Sequence, residues 1–420
     1  MEPAPPIGRA KLPWDAVVAD PVAAIAADRA ELGDTFALRS GEQTYLFVFS
    51  PDGVRMFYEL PEGVASKGIA DMRMLARKVP VDLFADRRTI PHDMFTRELA
   101  AAYLDEVAAA LATEVDELGD EGSVAVFDFT RRLGHRFGLA SWGGPGAAEG
   151  DTFARLVAAL DRLDPSASFV TPESAAAIAA NDHADERAAL AEIEAAYGPI
   201  VARFDADPGE GMFATIVARW ADDPGRVRGI ARDVALVHLG SMSNLFAALG
   251  WSIVDVARRP RWAERVRDGS RDVAERCALE STRLAQRSIM LREVLAPTSV
   301  TVDGSSYALA RGVTVATLLP LTNTTAAAGL DGYDPDRWTG RRLGLHPDLA
   351  ARELVTAFGH GSHTCPAQPF SLRVMADSLA ALTSRYDLRL DDAAPEPLAG
   401  QIGGVARSAS PCLVHYRRRR

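Results

Sequence analysis

Within Phe358-Gly-His-Gly-Ser-His-Thr-Cys365-Pro-Ala a single cysteine stands in a glycine-rich turn. Directly behind it lies a segment, 370–384, whose apolar residues recur three and four apart. A thiolate offered in that way can ligate a metal. Gly359 and Gly361 allow the backbone to close tightly round the sulfur. The helix expected behind the turn presents unpaired N–H groups and the positive end of its dipole, so Cys365 is expected to ionise readily. Two plainer readings compete. Taken singly, Cys365 is a small buried hydrophobe. His360, His363 and Cys365 are also candidate zinc ligands, although structural zinc takes paired ligands from two separated segments and the chain offers no second one.

Three upstream segments bear on the choice. Glu280-Ser-Thr-Arg283 sits in a breaker-poor stretch, 272–286, that reads as a helix, and residues three apart on a helix share a face. Taken alone, such a pair is commonly an exposed one worth a few tenths of a kcal/mol. Arg292 lies in Ser288-Ile-Met-Leu-Arg-Glu-Val, read as a strand, and Tyr333-Asp-Pro-Asp-Arg337-Trp338 follows. In this order, and with Phe358, Gly361, His363 and Cys365 at their spacing, the four segments resemble the signatures of the cytochrome P450 superfamily, the haem-thiolate monooxygenases.

That resemblance implies a mainly α fold with small β-sheets, the cytochrome P450 fold, of the soluble bacterial type. It implies haem b ligated by Cys365, with Phe358 in the ligand loop and Arg292 and His363 binding the haem propionates. Glu280, Arg283 and Arg337 become a charge cluster beneath the loop. Dioxygen would be reduced by electrons from a separate ferredoxin and ferredoxin reductase, since no flavin or iron–sulfur domain is encoded. His92 and Arg97 are either the start of a helix with further propionate contacts or surface residues.

The chain departs from the family on the helix Val237–Trp251, which takes the place of the family's distal helix. Most members carry an acid followed by threonine there, to supply protons for dioxygen cleavage. Aligned on Trp251, Ser243 holds the acid position and Asn244 the threonine position. With the Glu-Ser-Thr-Arg-Leu context, this asparagine is similar to the branch containing sterol demethylases, bile-acid hydroxylases and prostacyclin synthase. Asn244 and Ser243 are therefore the candidate catalytic residues, holding a water chain or orienting an already oxygenated substrate. The alternative is that they cap a kink near Gly240. Met242, Phe246 and the strand near Ile289 are expected to shape the pocket.

These motifs need a scaffold, and composition allows one. At 420 residues and 48% hydrophobic, the chain shows no linker, repeat or low-complexity run, so 1–420 reads as one domain. Segments 95–117, 174–204 and 231–258 read as long helices, and 44–49, 300–302 and 411–416 as strands. Ala206-Asp-Pro-Gly-Glu-Gly and Ala221-Asp-Asp-Pro-Gly read as interhelical turns. The N-terminus shows neither a signal-type apolar run nor a membrane anchor, which points to the cytoplasm. Residues 234–254 carry no Asp, Glu, Lys or Arg and approach spanning length, but interspersed polar groups favour a buried helix. Cys277, Cys365 and Cys412 show no paired spacing and fit a reducing compartment. A net charge of −11 argues against nucleic-acid binding, and Arg417–Arg420 reads as a solvated tail.

Three functions stay open: monooxygenation of a moderately hydrophobic small molecule, such as a natural-product intermediate of secondary metabolism or a steroid-like compound; isomerisation or dehydration without external electrons; and non-catalytic haem binding. Pro366 has one consequence common to all three. Proline lacks an N–H, so only Ala367 and Gln368 remain as donors to the sulfur. Hydrogen bonds to a ligating sulfur withdraw charge and raise the reduction potential of the metal it holds. Pro366→Leu is therefore expected to raise the haem potential in a redox titration.

Overall fold

The computed structural model describes residues 4–89, 91–164, 172–391 and 395–420. Its centre is a 32-residue helix, Arg226–Ala257, whose alanines, leucines and valines are buried over most of its length. Helices Val126–Trp142, Ala184–Ala206 and Arg271–Leu284 pack around it. This central helix is long and apolar enough to cross a membrane, yet 67% of its most apolar window is buried inside the protein. It runs as unbroken α-helix through Gly240, and Ser243 and Asn244 sit within it, 14 and 13 residues before its end at Ala257, rather than at a cap.

Beside the helical mass lie small sheets. Five strands stand in the order Thr35–Ser40, Gln43–Val48, Thr314–Leu318, Ile289–Val294 and Ala65–Ser66, antiparallel except where Gln43–Val48 meets Thr314–Leu318. Glu121–Ala125, Leu413–Arg418 and Tyr386–Leu390 form a second sheet, and Thr298–Val302 pairs with Ser305–Leu309. Arg292 lies on a strand as expected, opposite Val315.

Two helix expectations change. The stretch 174–204 is two helices, Pro172–Ala180 and Ala184–Ala206, divided where Asp182 and His183 adopt left-handed φ of 51° and 55°. Aspartate tolerates that conformation because its short polar side chain can bond locally, and the surrounding alanines conceal the break. The helix expected from Phe95 begins at Ala100, after a single turn at Pro91–Met94.

Glu280 and Arg283 form a pair with no exposed surface, at 2.7 and 2.9 Å. The remaining bonds of Glu280 come from Asp334 N–H at 3.0 Å and the Trp338 indole N–H at 2.7 Å. Arg337, expected to complete this cluster, is half-buried and instead donates to the Gly329 carbonyl at 2.8 Å. The 3₁₀ turn Pro335–Trp338 decides this, because it aims Trp338 inward and its neighbour away. Glu280→Ala strands a buried guanidinium and is expected to cost about 3–5 kcal/mol in denaturant unfolding. Arg337→Ala is expected to cost less than about 1 kcal/mol.

Candidate active site

The cysteine loop is built around backbone geometry that only glycine adopts freely. Gly359 has φ of 79°, and a Cβ there would lie 2.4 Å from the His363 carbonyl oxygen. The loop closes through Cys365 N–H to the Phe358 carbonyl at 2.7 Å and His363 N–H to the His360 carbonyl at 3.0 Å. Thr356 Oγ1 donates to the Gly359 carbonyl at 3.1 Å.

A buried asparagine anchors this loop to the ion pair. Asn323 Nδ2 donates to the carbonyls of Arg283 (3.1 Å) and Thr356 (2.8 Å), and its Oδ1 accepts Thr356 N–H at 2.8 Å. Arg283 returns a bond to the Asn323 carbonyl at 2.6 Å. Gln286 adds a bond to the Ala357 carbonyl at 2.7 Å. Sequence reasoning missed both amides, since neither belongs to a spaced motif.

Cys365 stands just before the helix Gln368–Arg385. Burial raises its thiol above the ordinary value, while N–H groups of Ala367 and Gln368 pull it down by less. The easy ionisation expected from the helix terminus is therefore not met by the protein alone; a cation at the sulfur would supply the missing compensation.

The sulfur faces a cavity of about 320 Å³. Phe358 and His363 share its near side, and Gly240, Asn244 and Ala248 line the far side. These last three recur every four residues along the central helix and so form one face. No atom lies within 4 Å of the position a Gly240 Cβ would take. Met242 and Met290 also line the cavity. Ser243 does not. It shares a small cleft with Phe246, His135 and Asp161 instead. Adjacent helical residues point about 100° apart, and here that rotation carries Ser243 off the cavity wall while Asn244 stays on it. Ser241, unremarked in the sequence, is the other polar side chain of this helix on the cavity wall.

At one edge His363 and Lys67 line the cavity, and Arg292 lies behind His363, off the wall itself. Fully buried Arg292 donates to His363 Nε2, to the Ala65 carbonyl at 2.9 Å and to the Leu60 carbonyl. Its nearest carboxylate, that of Glu62, stands 3.3 Å away and is half exposed. Burial, then Arg292 and Lys67, push the His363 imidazole below its usual range. Neither His92 nor Arg97 lines the cavity. Cys365, His363 and Lys67 on the wall, Arg292 behind His363 and the small side chains of the central helix fit a haem, whose carboxylates Arg292 and His363 would hold.

No family model matches the chain. The fold is similar to that of retinoic acid-bound cyanobacterial CYP120A1, with a TM-score of 0.74 over 100% of both chains at 15% identity. The sequence is similar to cytochrome P450 monooxygenase ausG of Emericella nidulans, 26% identical over 41% of this chain and 38% of that protein. It is also similar to human 24-hydroxycholesterol 7-alpha-hydroxylase, 27% identical over 34% of this chain and 29% of that protein. The fold is that of a cytochrome P450, and the curated proteins matched in part are P450 enzymes or a sterol hydroxylase. The stretches matched span less than half the length of these curated relatives. The loop at Cys365 opens onto this cavity, where its sulfur could ligate a haem. Reduced and exposed to carbon monoxide, the wild type is expected to give a thiolate-type spectrum and Cys365→His the spectrum of a nitrogen-ligated haem.

Proposed function

We propose that this protein is a haem-thiolate monooxygenase that inserts oxygen into a moderately hydrophobic small organic molecule. In this reading residues 1–420 are one catalytic domain acting in the cytoplasm, supplied with electrons by a ferredoxin and its reductase. The observation that carries it is the Cys365 sulfur facing an apolar-walled cavity from the head of a helix. Haem b bound there would supply oxygen activation, promoted by the electron-donating thiolate.

The chain's own residues do the rest. Arg292 and His363 hold the propionates through charge-assisted bonds. Phe95, Leu245, Ala248, Met290 and Leu319 give an apolar wall that holds the substrate and limits water. Asn244 and Ser241 are the polar groups of the central helix able to hold water over the cavity floor; of the adjacent candidates, Asn244 takes the catalytic assignment, because Ser243 opens on the other side of the helix.

A second reading has an observation in its favour. Among the described residues lining the cavity there is no Asp or Glu, so the wall lacks a proton reserve. An isomerase or dehydratase working without external electrons needs none. Turnover of candidate substrates with and without a ferredoxin system separates the two: product formed only with NAD(P)H and the electron carriers supports monooxygenation, and product formed without them replaces it by isomerisation. Asn244→Ala is expected to lower product per NAD(P)H by about tenfold with the carbon monoxide spectrum unchanged.

A further inference from the structure

The polar tip of Asn244 is not free to rotate. Its Oδ1 accepts the backbone N–H of Val405 at 3.0 Å. Only the oxygen end of a carboxamide can accept a bond, so the alternative rotamer would set NH₂ against N–H. Gly404 makes the approach possible: it has φ of 64°, and a Cβ there would lie 2.6 Å from Asn244 Oδ1.

The turn carrying Val405 is itself held at several points. Gly403 N–H donates to the Arg287 carbonyl at 2.7 Å, Arg287 N–H to the Gly404 carbonyl at 2.9 Å, and Ala406 N–H to the Ala285 carbonyl at 2.7 Å. The Trp251 indole N–H donates to the Ala406 carbonyl at 2.6 Å. Gln401 Nε2 donates to the Val405 carbonyl at 3.1 Å. Val405 N–H is thus a fixed donor, tied both to the central helix and to the segment after helix Arg271–Leu284. Asn244 Nδ2 has no partner among the described residues, while the side chain is exposed to the cavity.

We propose that the turn Gly403–Ala406 orients the Asn244 amide so that its N–H donors face the cavity, and that the site thereby selects substrates carrying an oxygen acceptor, such as a ketone, over plain hydrocarbons. This rests on reading the cavity as the substrate chamber of a haem enzyme. A donor that is desolvated by a ligand unable to accept loses its bonds to water without replacement, whereas a carbonyl restores them. Gly404 and Val405 are positioning residues in this scheme, acting through Asn244. The amide presents donors alone, because its oxygen is already engaged.

The test is a spin-state titration of the haem-loaded enzyme with 4-phenylcyclohexanone and with phenylcyclohexane, which differ by the carbonyl. The readout is the ratio of the hydrocarbon's Kd to the ketone's. Asn244→Leu is expected to lower this ratio by about tenfold. Asn244→Asp keeps an acceptor for Val405 N–H but turns an oxygen toward the ketone, so its ratio should fall below that of the Leu variant. A merely steric role would leave the near-isosteric Asp variant like the wild type. Gly404→Ala, whose Cβ would displace the amide while residue 244 stays asparagine, should lower the ratio while the thiolate spectrum persists, and serves if the Asn244 variants fail to fold. An unchanged ratio in Asn244→Leu, an Asp variant matching the wild type, or a wild type with no ketone-induced shift overturns the inference. A wild type that binds haem without a thiolate spectrum overturns the haem reading itself, a distinct outcome.

Discussion

The buried pair Glu280–Arg283 is the constraint on which the proximal half of the molecule depends. Two charges removed from water are tolerable only when every lone pair and proton finds a partner. Here the carboxylate takes Arg283, Asp334 N–H and Trp338, and the guanidinium also reaches the carbonyls of Asn323 and Leu330. Satisfying them draws the segment 323–338 against the helix Arg271–Leu284. Asn323 then passes the constraint to Thr356, and Thr356 to the loop that ends in Cys365. The sulfur is placed by a chain of hydrogen bonds that begins at an ion pair it never touches.

Across the cavity the organising element is different. The central helix is fixed in rotation by packing against Val126–Trp142 and Ala184–Ala206 and, near its start, by the pairs Arg226–Asp205 and Arg232–Glu194 to the second of these. That rotation turns Gly240, Asn244 and Ala248 toward the cavity and sends Ser243 to the polar cleft with His135 and Asp161. The small residues of this face leave room for a flat cofactor and a substrate. The one polar arm is then aimed by a turn 161 residues away in sequence.

The cysteine loop was legible because its requirements are local. A left-handed glycine, a closing carbonyl at Phe358 and a helix beginning directly after the sulfur all follow from consecutive residue types. Arg292 was legible for a similar reason, since a strand fixes which face a residue takes. Arg337 was not. The motif gives an arginine and an aromatic side by side, and which one reaches Glu280 turns on the aim of a 3₁₀ turn. The burial that raises the Cys365 thiol was likewise not legible, because a helix terminus can be recognised in a sequence and the depth of burial around it cannot.

From its sequence alone this protein determined a thiolate-presenting loop, the Glu280–Arg283 pair, a cationic strand residue and a helical stretch, 234–254, free of Asp, Glu, Lys and Arg, because each is written in short-range spacing and residue type. Tertiary structure alone decided which of Ser243 and Asn244 meets the cavity, and which atom of the amide points into it. Neighbouring helical positions differ by a rotation that only the packed helices set, and the orientation of an amide by a donor that folding brings from the far end of the chain.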